Sequence, residues 1–463
     1  MPDVRLPVIV PTVLLALCVV AFAGCKSLPS IHPDMAPRSR SNVQMEGANG
    51  PLSQARSKAI LDELKTRSPD TDILDRHLAV EQALVDRPLV AGNKVTLLQD
   101  GPATFAAMLA AIRDAKSHVN METYILEDDE AGRQFSEAFI EKQRQGVPVS
   151  IIYDGVGTLG TPKEFFKPLT DAGVQVLQFN PVNPLTARAG WNVNRRDHRK
   201  LLVVDGRTAF VGGINISGAY SGGWSKSVPR SDSKLPWRDT HVQIDGPVVS
   251  DYQRLFLDTW NKQKGDALPE RNYFPALTVQ GQEIVRAIGG SPDEPFSAIY
   301  ATLISAIGNA ETEILLTNAY FAPDPQLRAA LSDAVKRGVD VKLILPSKSD
   351  SGLIFHAGRS YYEEMLQAGV KIYERHDALL HSKTAVIDGV WSTIGSTNLD
   401  WRSFLHNQEI NAVILSPDFA AQMKAMFEDD LAASDQVTLE AWEHRSLVPR
   451  VKESLARMWA YWL

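Results

Sequence analysis

The sequence predicts an α/β protein made of two similar halves. Segments typical of buried strands alternate with helical patterns, as in parallel β–α–β units. The same order of segments occurs twice: Tyr124 and Tyr320 end equivalent strand segments 196 positions apart, and the segments DAGVQVLQF and QAGVKIYER keep the same offset. The same pattern of histidine, lysine and aspartate stands near the end of each half. A duplicated α/β unit with one chemical motif in each copy is therefore the expected architecture.

Helices and strands can be assigned in order through both halves. In the first half, ATFAAMLAAIRDA places its large apolar side chains on one helical face, HVNMETYIL is a strand, the stretch around Phe135 and Phe139 is a helix, and GVPVSIIYDG is a strand. In the second half, TEILLTNAYF is a strand, PQLRAALSDAVKRG a helix and GVDVKLILP a strand. Each half thus contains at least one strand–helix–strand unit.

Length, composition and charge limit the function classes. A chain of 463 residues can bury one large core or two medium ones, and 44% hydrophobic with 22% charged residues is ordinary for a globular protein. The formal net charge of -7 argues against a nucleic-acid partner, because such proteins usually present a basic face.

The N-terminus predicts export and attachment to a membrane. Residues 6–23 form an apolar run after Arg5 and end in Phe-Ala-Gly-Cys, which is typical of a signal segment with a small-residue cleavage site. The end resembles the lipobox of bacterial lipoproteins, which implies acylation of Cys25. An uncleaved membrane anchor is the alternative, although Pro7 and Pro11 disfavour a spanning helix. We expect a lipoprotein on the periplasmic face of the inner or outer membrane.

The chain divides into five predicted regions: a signal segment (1–25), a tether with N-terminal helices (26–93), the first half (94–275), the second half (276–435) and a C-terminal helical tail (436–463). The tether, at 26–51, is rich in Pro, Ser, Asn and Gly, and the helices lie at 54–64 and 73–85. In the tail, one helical stripe contains Val451, Leu455, Met458 and Trp462. We expect this stripe to pack on the catalytic body; contact with a membrane interface is the alternative.

The repeated motif consists of four residues at equal spacings in the two halves. The first copy contains His198, Lys200, Asp205 and Asn215. The second copy contains His381, Lys383, Asp388 and Asn398. Gly212-Gly213 in the first copy corresponds to Gly395-Ser396 in the second. Two such matches inside a duplicated frame are far more specific than one HxK pattern.

These residue types suit chemistry on a phosphoryl group. Strand alternation places the histidine and lysine of each copy on one face. Two histidines can supply a nucleophile and an acid, while lysines and asparagines stabilise anionic oxygens. The glycines would let the backbone approach a ligand. We count both motif aspartates among the catalytic candidates, although their strand–turn positions also suit a structural role. Neither a metal nor another cofactor is needed.

Two further features leave alternatives open. Thirteen extra residues precede the first motif, within NPVNPLTARAGWNVNRR, and form either a lip of the active site or a surface insertion. This stretch carries Arg188, Trp191, Arg195 and Arg196. Tyr124 and Tyr320, with Glu122 and Asn318 two residues before them, either line the pocket or pack at strand ends, and packing is favoured.

The motif segments identify a family. RRDHRKLLVVDGRTAFVGGINI, PWRDTHVQIDGPVV and LLHSKTAVIDGVWSTIGSTNLDWRSFLHNQEINAVI resemble the phospholipase D superfamily, whose signature is HxKxxxxD followed by Gly-Gly or Gly-Ser and an asparagine. Within it, about residues 95–435 are similar to bacterial cardiolipin synthases and their phospholipase-D-like relatives. The resemblance implies two phospholipase-D-like halves packed pseudo-symmetrically, each a mixed, largely parallel sheet flanked by helices.

The resemblance also implies roles for individual residues. His198 would attack phosphorus and form a phosphohistidine, while His381 would protonate the departing alcohol and deprotonate the incoming one. The phosphoryl oxygens would be held by Lys200, Lys383, Asn215 and Asn398. Asp239 would orient the histidine of the first half and Glu409 that of the second.

The expected function is phosphatidyl transfer between glycerophospholipids at a membrane surface, giving cardiolipin. Hydrolysis by a phospholipase D is the first alternative, since it would use the same catalytic residues. A nuclease of the superfamily is disfavoured by the two motifs in one chain and the charge of -7. A non-catalytic lipid-binding lipoprotein is disfavoured because both histidines and both lysines are present.

Overall fold

The fold was analysed in a computed structural model, which describes residues 27–31, 43–85, 87–183, 185, 191–221 and 235–463. The apolar N-terminal run, Cys25 and Arg188 lie outside the described residues. Within the described ranges, none of the helices is both long and apolar enough to cross a bilayer.

The strands of the described chain alternate with helices as the sequence predicts. In chain order the strands are β1 (Met45–Gly47), β2 (Gly50–Pro51), β3 (Leu89–Gln99), β4 (Val119–Thr123), β5 (Val149–Asp154), β6 (Gln175–Phe179), β7 (Arg196–Asp197), β8 (Leu201–Val204), β9 (Thr208–Gly212), β10 (Trp237–Arg238), β11 (Thr240–Asp245), β12 (Glu283–Gly290), β13 (Glu313–Asn318), β14 (Phe321–Ala322), β15 (Asp340–Pro346), β16 (Lys371–Arg375), β17 (Leu379–Leu380), β18 (Lys383–Ile387), β19 (Trp391–Gly395), β20 (Leu399–Asp400), β21 (Asn407–Leu415) and β22 (Ser434–Val437).

The α-helices, numbered over the described residues, are α1 (Gln54–Arg67), α2 (Ile73–Leu84), α3 (Asp100–Asp114), α4 (Glu130–Arg144), α5 (Lys163–Asp171), α6 (Val249–Lys262), α7 (Ala298–Asn309), α8 (Pro325–Lys336), α9 (Gly352–Arg359), α10 (Tyr362–Gln367), α11 (Trp401–Leu405), α12 (Pro417–Ala432), α13 (Leu439–Glu443) and α14 (Leu447–Arg457). Short 3₁₀ turns lie at Gly218–Tyr220 and Ala460–Trp462.

The two halves have the same sheet topology. In the first half the strand order is β3-β11-β9-β8-β4-β5-β6, and in the second it is β12-β21-β19-β18-β13-β15-β16. The last three strands of each order are parallel, and the other neighbours in each order are antiparallel. Strands β3 and β12 pair with each other and join both halves into one sheet. The predicted fold class, two α/β halves with mixed sheets, is confirmed.

The motif strand β8 illustrates how the sequence produces this sheet. All four of its residues are buried, but they alternate between two cores. Leu201 and Val203 belong to a central core that contains residues of both halves, whereas Leu202 and Val204 belong to the outer core of the first half. A strand covered on both faces needs a continuous apolar run, as LLVV provides.

The predicted tether does not extend to residue 51. Strand β1 pairs in parallel with β3, and Met45 is fully buried. The two N-terminal helices form as predicted, and Leu74 and Leu78 of α2 pack in the core of the second half. The short strand was missed because its three residues carry no detectable period.

The C-terminal helix forms, but its apolar stripe does not pack as expected. On α14, Glu453 and Ala456 are buried, whereas Val451 and Leu455 are exposed, as is Met458 directly after the helix. The stripe therefore faces outward, and the favoured interpretation of the tail was wrong.

Candidate active site

The histidine and lysine of each motif lie at the edge of the sheet where the parallel strands end. Tyr124 follows β4, and Tyr320 follows β13. The antiparallel motif strands run the other way, so Lys200 precedes β8 and Lys383 begins β18 at this same edge. The histidines lie in the extended segments just before these strands, and both line one cavity of about 410 Å³ between the halves. Carboxyl ends of parallel strands are common places for ligand sites.

Each motif histidine is held by a buried carboxylate. Nδ1 of His198 lies 3.1 Å from Oε1 and 3.1 Å from Oε2 of Glu409. Nδ1 of His381 lies 2.7 Å from Oδ2 of Asp239. An Nδ1–H that donates to its carboxylate leaves the lone pair of the ring on Nε2. Nδ1 of His381 also lies 2.9 Å from Nζ of Lys383.

The pairing of acids and histidines crosses between the halves, so the expected pairing within each half was wrong. Two short parallel bridges cause the crossing. The start of β21 pairs with β7, and the backbone N–H of His198 donates to the carbonyl of Gln408 at 2.9 Å. Reciprocally, β10 pairs with β17, and the N–H of His381 donates to the carbonyl of Arg238 at 2.8 Å. Each bridge sets an acid-bearing segment beside the other half's histidine.

The glycines after each motif strand approach protein rather than a ligand, which corrects their expected role. A Cβ on Gly213 would lie 2.2 Å from Oδ1 of Asp239, and one on Gly395 would lie 2.2 Å from Oδ1 of Asn411. Ser396, the counterpart of Gly213, donates its hydroxyl hydrogen to Glu409. Gly213 therefore makes room for the carboxylate of Asp239, whereas Ser396 binds the carboxylate of Glu409.

The two motif lysines are buried beneath their histidines. Nζ of Lys200 donates to the carbonyl of His198 at 2.6 Å, and Nζ of Lys383 donates to the carbonyl of His381. Burial lowers the pKa of Lys200 to about 7, although Glu409 opposes the shift. Burial likewise lowers the pKa of Lys383 to about 8, opposed mainly by Asp239. An anionic ligand would favour the charged form of both ammonium groups.

The histidines and acids form an electrostatically coupled set. Burial lowers the pKa of His198, against the effect of Glu409. Burial, with the charge of Lys383, holds the pKa of His381 well below its usual value. Burial raises the pKa of Asp239 to about 6, opposed mainly by Lys383. Burial therefore favours neutral imidazoles, and the negative charge of a bound phosphodiester would promote their protonation.

The two motif asparagines line the cavity. Oδ1 of Asn215 accepts from the N–H of Ile125 at 3.1 Å, and its Nδ2 donates to the hydroxyl of Tyr220 at 2.9 Å. Oδ1 of Asn398 is buried and forms no hydrogen bond with any described residue. A buried amide that lines a cavity with unused hydrogen-bonding capacity is suited to a ligand.

Sequence reasoning missed Tyr220, which packs against His381, and several residues that line the cavity. The hydroxyl of Tyr220 lies 3.2 Å from Nδ1 of His381, and the Trp237 ring centroid lies 4.9 Å from that of His381. Ser403 stands where Tyr220 stands in the other half, so the repeat gave no signal for the tyrosine. The remaining cavity residues that the prediction did not contain include Asp350, Ile354, Asp400, Arg402, Asn407, Trp462 and Leu463.

Tyr124 and Tyr320, for which the sequence left two roles possible, both line the cavity. The ring centroid of Tyr124 lies 5.1 Å from that of His198, and that of Tyr320 lies 6.3 Å from that of His381. The favoured packing role was therefore wrong for the tyrosines. Glu122 is instead buried beside Arg199, with side-chain atoms 3.7 Å apart, and Oδ1 of Asn318 accepts from the N–H of Leu399 at 3.1 Å.

The extra stretch before the first motif contributes to the cavity through Arg196. This side chain lines the cavity and donates to the carbonyl of Asn180 at 2.9 Å. Trp191 donates to the carbonyl of Pro181 at 2.6 Å, and Arg195 pairs with Asp293. The described part of the stretch thus includes an edge of the cavity, as the lip interpretation predicts.

The motif aspartates lie outside the site, which corrects their assignment as catalytic candidates. Strand β8 separates Asp205 from Lys200. The Asp205 carboxylate accepts from the backbone N–H groups of Lys116, Ser117 and His118 at 2.7–3.0 Å. Asp388 accepts in the same way from the N–H groups of Glu311, Thr312 and Glu313, and from the hydroxyl of Thr71. Both close the turn before a parallel strand.

Replacing Asp205 by alanine should reduce stability without reducing catalysis by the folded enzyme. Losing a charged acceptor of three backbone donors should lower the free energy of unfolding by about 2–4 kcal/mol. Urea denaturation followed by circular dichroism measures this change. Asp205→Asn should lose less, because asparagine keeps one acceptor and tolerates the φ of 55° found there. An unchanged denaturation midpoint with a large fall in kcat would contradict the structural role.

In the part of the chain that the structure describes, no group of three or more His, Cys, Asp or Glu side chains is arranged as metal ligands.

Comparison with known proteins identifies the family. The family described as "Cardiolipin synthase, PLD-like domain" matches residues 108–221 and 303–431, so each match lies within one structural half. Cardiolipin synthase 2 of Bacillus anthracis is 36% identical over 365 residues, which are 78% of this chain and 69% of the relative. The chain belongs to the cardiolipin synthase family of phospholipase-D-like proteins. It is accordingly a phosphatidyltransferase of the phospholipase D superfamily.

A further relative agrees with this family, and a solved structure agrees with the fold. Cardiolipin synthase of Geobacillus kaustophilus (strain HTA426) is 35% identical, with 80% of this chain and 72% of the relative covered. The crystal structure of phosphatidylserine synthase from Haemophilus influenzae Rd KW20 has a TM-score of 0.61 at 15% identity, and the alignment covers 83% of this chain and 97% of that one. At this identity the likeness supports the fold alone.

Proposed function

We propose that this phosphatidyltransferase synthesises cardiolipin from two molecules of phosphatidylglycerol through a phosphohistidine on His198. The observation that carries the proposal is the convergence of two histidine–carboxylate pairs, from opposite halves, on one cavity. The sequence similarity to cardiolipin synthases supports cardiolipin as the product.

In the first half-reaction, Nε2 of His198 attacks the phosphorus of one phosphatidylglycerol. The bond between phosphorus and the headgroup oxygen breaks, and His381 donates a proton to the departing glycerol. Glu409 stabilises the positive charge that develops on His198, as the carboxylate does in a catalytic triad. The non-bridging oxygens are bound by the charged lysines and the asparagines of both motifs.

In the second half-reaction, a headgroup hydroxyl of another phosphatidylglycerol replaces the departed glycerol. His381, now neutral, accepts the proton of this hydroxyl, and its oxygen attacks the phosphohistidine. The bond between phosphorus and Nε2 of His198 breaks, which releases cardiolipin and regenerates the histidine. Asp239 stabilises the imidazolium of His381.

Lipid analysis tests the reaction. Full-length protein is incubated with phosphatidylglycerol labelled in both the headgroup and the acyl chains, with and without ethanol, and the products are separated. Cardiolipin with released glycerol is the expected result. Phosphatidic acid without cardiolipin would overturn the proposed acceptor in favour of water, and phosphatidylethanol would then report ethanol capture. Unchanged lipid, equal to a His198→Ala control, would overturn both reactions.

The pH dependence of kcat/KM should be bell-shaped with its maximum near neutrality. As pH falls through about 6, Asp239 becomes protonated and can no longer stabilise a charged His381. As pH rises through about 7 and then about 8, Lys200 and Lys383 lose the positive charges that bind the phosphodiester. Initial rates with short-chain phosphatidylglycerol across this range measure both limbs, which report the free enzyme.

A matched variant tests whether kcat/KM falls at high pH because a lysine loses its charge or because the protein denatures. Lys200→Arg keeps a charge that does not titrate in this range, so the basic limb should move to higher pH even if the maximal rate is lower. Circular dichroism at each pH verifies that the protein stays folded. An unshifted limb in this variant would contradict the assignment to Lys200.

We further propose that the protein is an exported lipoprotein held at a membrane through acylated Cys25. The lipobox-like end of the apolar N-terminal run supports this, and a lipid substrate fits a location on a membrane surface. Replacing Cys25 by alanine in the producing cell should abolish incorporation of labelled palmitate into the protein. Undiminished labelling of this variant would contradict the lipoprotein assignment.

A further inference from the structure

The tail of the protein exposes an unusually apolar surface. Val451 and Leu455 of α14 are 57% and 55% exposed, and Met458 and Trp459, which follow the helix, are 70% and 57% exposed. Leu447 and Val448 at the start of the helix are exposed as well. Contiguous exposed apolar residues mark an interaction surface, whereas scattered ones need no explanation.

The opposite side of α14 explains why the apolar side faces outward. The buried Glu453 accepts from Arg445 at 2.7 and 3.0 Å and lies 3.6 Å from Arg359 of α9. These ion pairs attach the helix to the body through its polar side. The other charged residues of α14 include the exposed Lys452 and Arg457, so the exposed charges of the helix itself are basic.

This apolar surface is continuous with the mouth of the catalytic cavity. Trp462 and Leu463, at the end of the same segment, line the cavity, and the carbonyl of Leu463 accepts from the N–H of Arg402 at 2.9 Å. Ile354 of α9, the helix on which α14 packs, also lines the cavity. The exposed stripe therefore borders the entrance through which substrate must pass.

A second group of exposed apolar side chains, here called the second patch, lies in the stretch before the first motif, whose Arg196 lines the same cavity. Val182, Leu185 and Val193 are exposed there, and Leu185 is 92% exposed. The neighbouring Asn194 accepts from the guanidinium of Arg402 through its Oδ1 at 3.1 Å and through its carbonyl at 3.3 Å. The backbone N–H of Arg402 also donates to the carbonyl of Leu463 in the tail. Arg402 therefore connects the stretch before the first motif with the tail.

We propose that these two patches form a docking surface for an anionic phospholipid bilayer, with α14 lying in the interface. The inference rests on the proposed function, because a phospholipid substrate has to reach the cavity from a bilayer. A cavity of about 410 Å³ can hold the reacting headgroups, so the acyl chains must remain outside it. Exposed apolar side chains with basic neighbours are the composition that interfacial helices use on anionic lipid.

The first test compares vesicles with monomeric substrate. The double variant Leu455→Asp/Met458→Asp, in the full-length chain, should slow transfer on phosphatidylglycerol vesicles about tenfold or more, because two buried apolar contacts are lost. Its rate on short-chain phosphatidylglycerol below the micelle concentration should stay within about twofold, because the cavity is unchanged. Equal rates of variant and wild type on vesicles would overturn the docking surface.

The chain offers a matched control for added charge. Val279 is 66% exposed and packs beside Gly92, toward the end of β3 that lies away from the site. Val279→Asp should leave the rates on both substrates within about twofold of wild type. A fall on vesicles as large as that of the tail variant would show a general charge effect and overturn the inference.

A second readout does not depend on catalysis. The fluorescence of Trp459 should be quenched by phosphatidylglycerol vesicles with brominated acyl chains, and Trp459→Phe should lose a corresponding part of the quenching. If wild type transfers no phosphatidyl group on either substrate but this quenching persists, the proposed function fails and the docking surface stands. If the tail variant instead converts a dimer to a monomer in sedimentation and vesicle rates do not change, the surface binds a second copy and the inference fails.

Discussion

Replacing His198 by alanine should abolish covalent labelling of the protein, whereas replacing His381 by alanine should let the label accumulate. The two histidines line the same cavity with similar burial, so this experiment separates their proposed roles. The substrate is a radiolabelled phosphatidyl ester of p-nitrophenol, whose leaving group needs no proton from an acid. With this ester the first half-reaction no longer requires His381, but the second still requires it as a base.

The expected outcome has two parts. His381→Ala should release about one equivalent of nitrophenol in a burst and retain labelled phosphatidyl on the protein, with turnover about 10²–10⁴-fold slower than wild type. His198→Ala should show neither burst nor label, and its turnover should fall by about 10⁴-fold or more. Quenched-flow spectrophotometry and acid-labile, base-stable radioactivity on the protein measure the two quantities.

An exposed histidine provides the control. His376 pairs with Asp435 at the surface, and the His376 side chain is 54% exposed. His376→Ala should behave as wild type in burst, label and turnover. Label on the His198→Ala protein together with none on His381→Ala would reverse the assignment of nucleophile and acid.

Because the carboxylates cross between the halves, Glu409 should affect the step that depends on His198. Asp239 should affect the step that depends on His381. Glu409→Gln should slow the nitrophenol burst by about 10²–10⁴-fold, because His198 loses the carboxylate that fixes its tautomer and balances its charge. Asp239→Asn should leave most of the burst intact but slow turnover by a similar factor, because it impairs His381. Pairing within each half would give the reverse pattern.

Two measurements make this test specific to orientation. Nitrogen-15 NMR of the imidazoles should show a changed tautomer for His198 only in the Glu409 variant and for His381 only in the Asp239 variant. Asp435→Asn, which changes a carboxylate that is 85% exposed, is the matched control and should leave both rates unchanged. Changes in both histidines of either variant would contradict the two separate pairs.

The repeat made much of the fold predictable from the sequence. Equal spacing placed β4 and β13 as equivalent strands, and the apolar runs marked β5, β8 and β15 because strands covered on both faces tolerate few polar residues. β1 was not predictable, since a three-residue strand has no period and is stabilised by pairing with β3. The orientation of α14 depended on Glu453, whose buried ion pairs involve residues distant in sequence.

The residues of the candidate site also fall into those that the sequence predicted and those that it misassigned or missed. The motif spacing identified both histidines, both lysines and both asparagines, all of which the structure brings to one region between the halves. It also placed Asp205 among the catalytic candidates, because a motif does not state which end of a strand faces the ligand. Tyr220 gave no signal, since Ser403 stands at its equivalent position.

By itself, the sequence determined the two-fold α/β repeat, the chemistry of the paired motifs and the apolar strands that carry them, because spacing and periodicity are local properties of the chain. The tertiary structure alone decided which acid binds which histidine and that the tail borders the cavity. Glu409 is 211 positions from His198, and Asp239 is 142 positions from His381. Contacts over such separations are set by strand bridges between the halves, which no local pattern encodes.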